Sequence, residues 1–139
     1  MRATEKAAEV LALHACSVPV DVERIATAEQ LEVVERDFRT LEEVWLWPCI
    51  AVRRDLSQTW RRWVIAHALG HYFLHRGNQL RFRRGDDLMR RRQEAQAEQF
   101  AAWLLIPERE IARLRSLDLG EFAERFDVPP ECVGIRFPR

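Results

Sequence analysis

The sequence predicts an α+β fold, in which a small three-stranded antiparallel sheet accompanies several helices. Three observations support this prediction. Long segments repeat apolar residues at steps of three and four, which is typical of amphipathic helices, whereas three short runs rich in β-branched and aromatic residues are typical of strands. The chain has 139 residues, of which 47% are apolar and 32% charged, as expected of one folded domain spanning residues 1–139.

The first third of the chain predicts two helices and then the sheet. An apolar face predicts a first helix over residues 3–16, and Asp21 is suited to cap a short second helix that ends at Ala28. Three runs that are too short for helices predict the strands: Leu31–Glu35, Trp45–Trp47 and Cys49–Val52. We interpret the tryptophans in these runs as core and sheet-packing residues, with the alternative that some of them line a substrate groove.

Two longer helices are predicted in the middle of the chain. Asp55 or Ser57 can cap the first of them, which ends before Gly77. Residues 78–89, which follow the glycine, are expected to form a loop. The second long helix is expected to run from about Arg90 to Ile106.

The C-terminal part of the chain predicts short helices that pack on the rest of the domain. Pro107 stops the preceding helix and can open the next one, at the start of the segment over about 108–139. Residues 119–126 and 130–135 predict a helix pair, a pattern also found in helix-turn-helix DNA-binding modules. Residues 118–139 carry a net charge of −2, which is unfavourable near phosphates, so direct DNA binding is not expected.

Cysteine usage and hydropathy predict a cytoplasmic protein. The three cysteines, Cys16, Cys49 and Cys132, are an odd number without CxxC spacing, which indicates neither a disulfide framework nor a cysteine-rich zinc site. No apolar run approaches the roughly 20 residues that a membrane-spanning helix needs, so no membrane association is expected.

A pair of histidines is the first candidate for chemistry. His67 and His71 lie four residues apart in a predicted helix, a spacing of about 40° of rotation, so both imidazoles project to one side. A tetrahedral zinc ion requires this of two neighbouring ligands, although an isolated pair at this spacing is also compatible with a packing or surface role. The flanking residues are apolar, and a histidine in such surroundings needs a partner, which a divalent cation would supply.

The next helix offers a third ligand. Glu94 would complete a set of two histidines and one glutamate with an open fourth position, the pattern of hydrolytic zinc sites. Glu98, one turn further on, is suited to accept a hydrogen bond from a ligand histidine. The alternative for both glutamates is a solvated helix face.

Two stretches around these residues resemble the signatures of a known family. Residues 62–75, RWVIAHALGHYFLH, and residues 94–107, EAQAEQFAAWLLIP, closely resemble the paired motifs of the ImmA/IrrE family of zinc metallopeptidases. The segments PVDVERIA and FAERFDVPPECVGIRF are also similar to family segments, so the resemblance covers nearly the whole chain. It implies a small gluzincin-like α+β fold with an active-site helix and a second ligand helix. It also implies zinc held by His67, His71 and Glu94, and helix-turn-helix transcriptional repressors as substrates.

The chain departs from the family pattern at two positions. Ala68 stands where the HExxH motif of the family has the glutamate that acts as general base. A methyl group cannot accept a proton, and general-base catalysis typically contributes about 10²–10⁴ in rate, so we expect zinc binding with impaired catalysis. Two origins are compatible with Ala68, a natural pseudo-peptidase and an engineered Glu-to-Ala change. Glu98 stands where the family has asparagine, a polar exchange that keeps a hydrogen-bonding group.

The zero net charge of the chain hides a basic central segment. Residues 51–92 carry a net charge of +8 between two acidic ends. Arg81, Arg83 and Arg84 lie in the loop that joins the two ligand helices, where they are candidates for binding an acidic segment of a partner. The alternative is a solvated loop with nearby aspartates as counter-charges. A second reading of the whole chain is therefore a non-enzymatic regulatory pseudo-peptidase that binds a repressor-like protein or nucleic acid.

Overall fold

The described residues of the computed structural model are 2–14, 16–38, 43–75, 87–112, 114 and 118–138. They form seven helices and three strands, which confirms the α+β prediction. In chain order these are α1 (Ala3–Leu13), α2 (Val22–Ala28), β1 (Glu32–Arg36), β2 (Glu43–Leu46), β3 (Cys49–Arg53), α3 (Gln58–His75), α4 (Asp87–Leu105), α5 (Glu108–Ile111), α6 (Leu119–Phe126) and α7 (Pro130–Arg136). Each predicted strand lies within two residues of an observed one.

The three strands form a mixed sheet of order β1-β3-β2, so the expectation of an all-antiparallel sheet is wrong. β2 and β3 are antiparallel, as two strands joined through only Trp47 and Pro48 must be. β1 instead pairs parallel with β3, in a register that sets Val33 opposite Ile50. Parallel neighbours need a crossover of about a dozen residues, and residues 37–48, which include β2, provide it.

Side-chain caps fix the starts of several helices. The Asp21 carboxylate accepts a hydrogen bond from a backbone N–H in the first turn of α2 at 3.0 Å, as predicted. At the start of α3, the Ser57 hydroxyl lies 3.4 Å from the backbone N of Trp60, whereas Asp55 forms an ion pair with Arg53 at 2.7 Å. Of the two capping alternatives at α3, the structure therefore favours Ser57.

Two helix boundaries differ from the predicted ones. α1 ends at Leu13 rather than near residue 16, and α4 begins at Asp87, three residues before the predicted Arg90. The last residues of the predicted loop over 78–89 therefore belong to α4, and its first nine residues lie outside the described part of the chain. Local capping and packing set where an amphipathic helix ends. A periodic apolar pattern therefore predicts the ends only to within a few residues.

α4 lies at the centre of the molecule and packs against α1, α3 and α7. Phe100 and Leu104 of α4 are fully buried. From α7, the Arg136 guanidinium stacks over Trp103 at 3.6 Å, and its Nε donates a hydrogen bond to the carbonyl of Ile106 at 3.0 Å. These contacts hold the C-terminal helices on α4.

Among the described residues, no helix is long and apolar enough to cross a membrane.

The side chain of Arg62 connects α3 to two other parts of the chain. Its guanidinium donates hydrogen bonds to the backbone carbonyls of Val20 at 2.6 Å, Phe126 at 3.2 Å and Asp127 at 2.9 Å. It also lies 3.3 Å from the Asp127 carboxylate. Asp127 adopts a left-handed conformation that ends α6. One partly buried side chain thus satisfies carbonyls at the entry to α2 and at the turn between α6 and α7.

Replacing Arg62 with alanine is expected to lower the free energy of unfolding by about 2–4 kcal/mol, because three backbone acceptors lose a charged donor. The Arg62→Lys variant keeps the charge but not the planar fork, so its loss should be intermediate. Urea unfolding followed by circular dichroism measures both. A loss in the alanine variant below about 1 kcal/mol would contradict this role.

Candidate metal centre

α3 and α4 bring three predicted ligands together. His67 and His71 lie one turn apart on α3, and Glu94 faces them from α4. One ligand atom from each residue lies within 4.8 Å of the other two. The structure thus places the sequence-predicted set in one cluster.

The donor atoms converge on one small volume. Nε2 of His67 lies 3.1 Å from Oε2 of Glu94, and Nε2 of His71 lies 2.9 Å from Oε1 of the same carboxylate. His71 is almost fully buried, whereas 45% of the Glu94 side chain is exposed, so solvent reaches the cluster at Glu94. Two imidazoles and one carboxylate in this arrangement fit the donor set of a divalent transition metal.

The protonation states favoured here are those that bind metal. Contacts with His67 and then His71 hold the pKa of the Glu94 carboxyl well below its usual range, so the group stays ionised. Burial lowers the pKa of His71 below its ordinary value, which keeps the ring neutral. A neutral imidazole and an ionised carboxylate bind a cation without first losing a proton.

Trp45 of β2 covers one side of the cluster. Its indole stacks on the His71 ring, with centroids 4.4 Å apart and planes at 20°, and meets the His67 ring edge-on at 6.4 Å. Trp47 stacks on Trp45 at 6.1 Å and continues the aromatic surface. The sheet therefore supplies a wall of the site. The sequence indicated that the tryptophans pack in the core and sheet and that some line a groove, but not which ring contacts which histidine, because the contact joins residues distant in the chain.

Gly70 sets the separation of the two ligand helices. A Cβ at this position would lie 2.9 Å from the carbonyl oxygen and 3.0 Å from the Cα of Ala97 on α4. These are backbone atoms that no side-chain rotation can move away. Since Gly70 precedes His71 and Ala97 lies one turn beyond Glu94, this close approach helps fix the distance between the histidines and the carboxylate.

We therefore expect Gly70→Ala to weaken metal binding by about 10-fold or more and to lower stability by about 1–3 kcal/mol, because the helices must separate. Gly134→Ala in α7 is the matched control, since nothing lies within 4 Å of its added Cβ. Its expected effect is stabilisation by about 0.5–1 kcal/mol. Metal affinity from chelator competition and thermal melting test both variants. Equal behaviour of the two would contradict the packing role of Gly70.

His75, the last residue of α3, contacts both a ligand histidine and α4. Its Nδ1 lies 3.2 Å from Nδ1 of His71, and its Nε2 lies 2.6 Å from Oε1 of Gln96 on α4. The side chain is buried. Glu98, the residue predicted to support a ligand histidine, is exposed on α4, and that role stays a prediction. The position of His75 one turn after His71 is the signal that could have identified it.

Of the remaining predicted site residues, the structure describes Ala68 but not the three arginines. Ala68 lies between the two histidines on α3 and is fully buried. The predicted partner-binding residues Arg81, Arg83 and Arg84 lie outside the described residues, and their role stays a prediction.

The part of the chain that contains the metal cluster resembles a known protein family. A family model described as Peptidase_M78, the IrrE N-terminal-like domain, matches residues 22–137. The matched segment contains both helices that carry the metal cluster, and it leaves out α1. No curated protein matches the chain significantly.

Proposed function

Since the chain belongs to the Peptidase_M78 family of IrrE N-terminal-like, metallopeptidase-like domains, we propose that it is a zinc-binding member with impaired hydrolytic activity. Its proposed target is a helix-turn-helix transcriptional repressor. The observation that carries this proposal is the cluster of His67, His71 and Glu94, with the buried Ala68 between the two histidines in α3.

Zinc is proposed because of the donor set. Two imidazole nitrogens and a carboxylate are the ligands of many zinc peptidase sites, with a further position left for solvent or substrate. When bound, the ion would polarise a substrate carbonyl and acidify water. His71 is held in place by burial and by the Trp45 ring, whereas the more exposed Glu94 lies on the side open to solvent. The chain's own residues thus provide the binding site and its orientation.

Impaired hydrolysis is proposed because of Ala68. Peptide hydrolysis needs a group that takes a proton from the attacking water and delivers it to the leaving amine. The three ligand residues are engaged with each other, and the methyl group of Ala68 has no basic atom. The cluster therefore keeps the parts needed for metal binding and lacks one needed for turnover, which favours binding of a target without efficient cleavage.

A repressor target is proposed from the resemblance to family members that act on helix-turn-helix repressors. A cytoplasmic location follows from such a target. The exposed Arg91 and Arg92 on α4 extend the basic character of the preceding segment towards the site. Like the three arginines at 81–84, they are suited to steer an acidic segment of a partner protein to the metal cluster.

Metal analysis of protein purified without added zinc tests the proposal. We expect about one tightly bound zinc ion per chain, lost in the His67→Ala variant. Clearly less metal in the unaltered protein, with no change in the variant, would contradict it.

For the target, a purified helix-turn-helix repressor from the same organism is titrated into the zinc-loaded protein. Salt-sensitive binding without cleavage is expected. Binding of nucleic acid instead would favour the alternative regulatory role.

A further inference from the structure

We propose that His75 is a positioning residue, which accepts a hydrogen bond from Nδ1 of His71 and thereby directs Nε2 of His71 at the metal position. Gln96 sets the direction of this hydrogen bond from the other side of His75. The inference rests on the proposed metal binding and assigns two residues outside the ligand set.

The contacts form a chain from the ligand set to the surface of α4. Nε2 of His71 lies 2.9 Å from Glu94, and Nδ1 of the same ring lies 3.2 Å from Nδ1 of His75. Nε2 of His75 then lies 2.6 Å from Oε1 of Gln96. His71 and His75 are 1% and 5% exposed, so bulk water cannot readily replace the bond between them. Gln96, at the other end of this series of contacts, is exposed.

The donor and acceptor properties of these side chains fix which atom donates in each hydrogen bond. An amide oxygen can only accept, so the Nε2 of His75 that faces it carries the proton. In a neutral ring the other nitrogen is then bare, so Nδ1 of His75 accepts a hydrogen bond. The donor is Nδ1–H of His71, which leaves the lone pair of His71 on Nε2. That atom faces the Glu94 carboxylate, which also offers a lone pair, so a bound cation would satisfy both groups at once.

The same contacts explain why a histidine, rather than an apolar residue, fills this buried position. Metal-binding histidines usually donate their second ring N–H to an oxygen acceptor, which fixes the tautomer and the ring orientation. Here the acceptor is a second imidazole on the same helix, one turn away. Its acceptor state depends on Gln96 of the other ligand helix, so the hydrogen-bond chain links α3 to α4.

The zinc affinity of four variants, measured with zinc alone against a chromophoric chelator, tests the proposal. His75→Phe fills the buried volume but cannot accept, so the Kd should rise about 10–100-fold. His75→Asn is smaller but keeps an acceptor, so its loss should be less than that of His75→Phe. A purely structural role predicts the reverse order, because phenylalanine packs better than asparagine at a buried site. An unchanged Kd in His75→Phe, or tighter binding by Phe than by Asn, would overturn the proposal.

Variants of Gln96, at the exposed end of the hydrogen-bond series, keep the proposal testable if the His75 variants fold poorly. Gln96→Met removes the acceptor and should weaken zinc binding by about 10-fold, whereas Gln96→Glu keeps an acceptor and should bind at least as tightly as the unaltered protein. Gln99→Glu adds the same charge on an exposed position of α4 and controls for it. Equal affinities for Gln96→Met and Gln96→Glu would contradict the role of Gln96.

A spectroscopic measurement separates this proposal from metal binding itself. In the zinc-loaded protein, nuclear magnetic resonance should show a slowly exchanging Nδ1–H of His71, and this signal should be lost in His75→Phe. If the unaltered protein binds no zinc, the proposed function fails. If it binds zinc but shows no such proton and no change among the variants, the role of His75 fails alone.

Discussion

Replacing Ala68 with glutamate is expected to raise peptide-bond hydrolysis by about 10²–10⁴-fold. The three ligand residues are already in place, and Ala68 lies between two of them on α3. A carboxylate at this fully buried position would have a raised pKa, which brings its basicity closer to the value that suits a general base near neutral pH. The measurement is the initial rate of cleavage of unfolded casein, and of a purified helix-turn-helix repressor, by zinc-loaded protein.

The Ala68→Gln variant is the matched control for this gain. It has nearly the size of glutamate but no basic oxygen, so it should stay as slow as the unaltered protein. Zinc content must be equal in all three proteins, since none of the ligands changes. If the alanine protein already cleaves as fast as the glutamate variant, another group accepts the proton and the proposed impairment is wrong. If glutamine gives the same gain as glutamate, the effect comes from packing.

The parts of the structure that could be predicted from sequence depend on residues close together in the chain. The histidine pair and its helix follow from a four-residue spacing and a local apolar period, which fix the shared side of the helix directly. Asp21 and Asp118 each cap a helix through a backbone group three residues away, so the same local rule defines the starts of α2 and α6. These features do not depend on tertiary contacts.

The parts that could not be predicted depend on contacts between distant segments. Nothing in the three strand patterns specifies that β1 pairs with β3, because side-chain alternation carries no information on which strands are neighbours. The Trp45 ring over His71, the Gly70–Ala97 contact and the His75–Gln96 bond each join different elements. In two of them both residues lie inside the family-like motifs, so the motifs indicated the positions but not what each residue contacts.

Chelation of zinc is expected to lower the melting temperature of the protein by about 8–12 °C. A ligand that binds only the folded state at 100–1,000 times its Kd stabilises it by about 2.7–4.1 kcal/mol. For a domain of this size, each kcal/mol corresponds to about 3 °C. The cluster exists only when α3 and α4 are packed, so the unfolded chain offers no equivalent site. Differential scanning fluorimetry with and without a strong chelator measures the shift.

The Glu94→Gln variant makes this prediction specific to the cluster. Glutamine keeps the shape of the side chain but replaces the ionised carboxylate with a neutral amide, so zinc affinity should fall more than the roughly 10–100-fold expected of a residue outside the ligand set. The two histidines remain, and their packing against Trp45 does not depend on the charge of Glu94. The variant should therefore fold, melt near the temperature of the chelated protein and respond little to the chelator. A chelator shift as large in Glu94→Gln as in the unaltered protein would place the metal elsewhere in the chain.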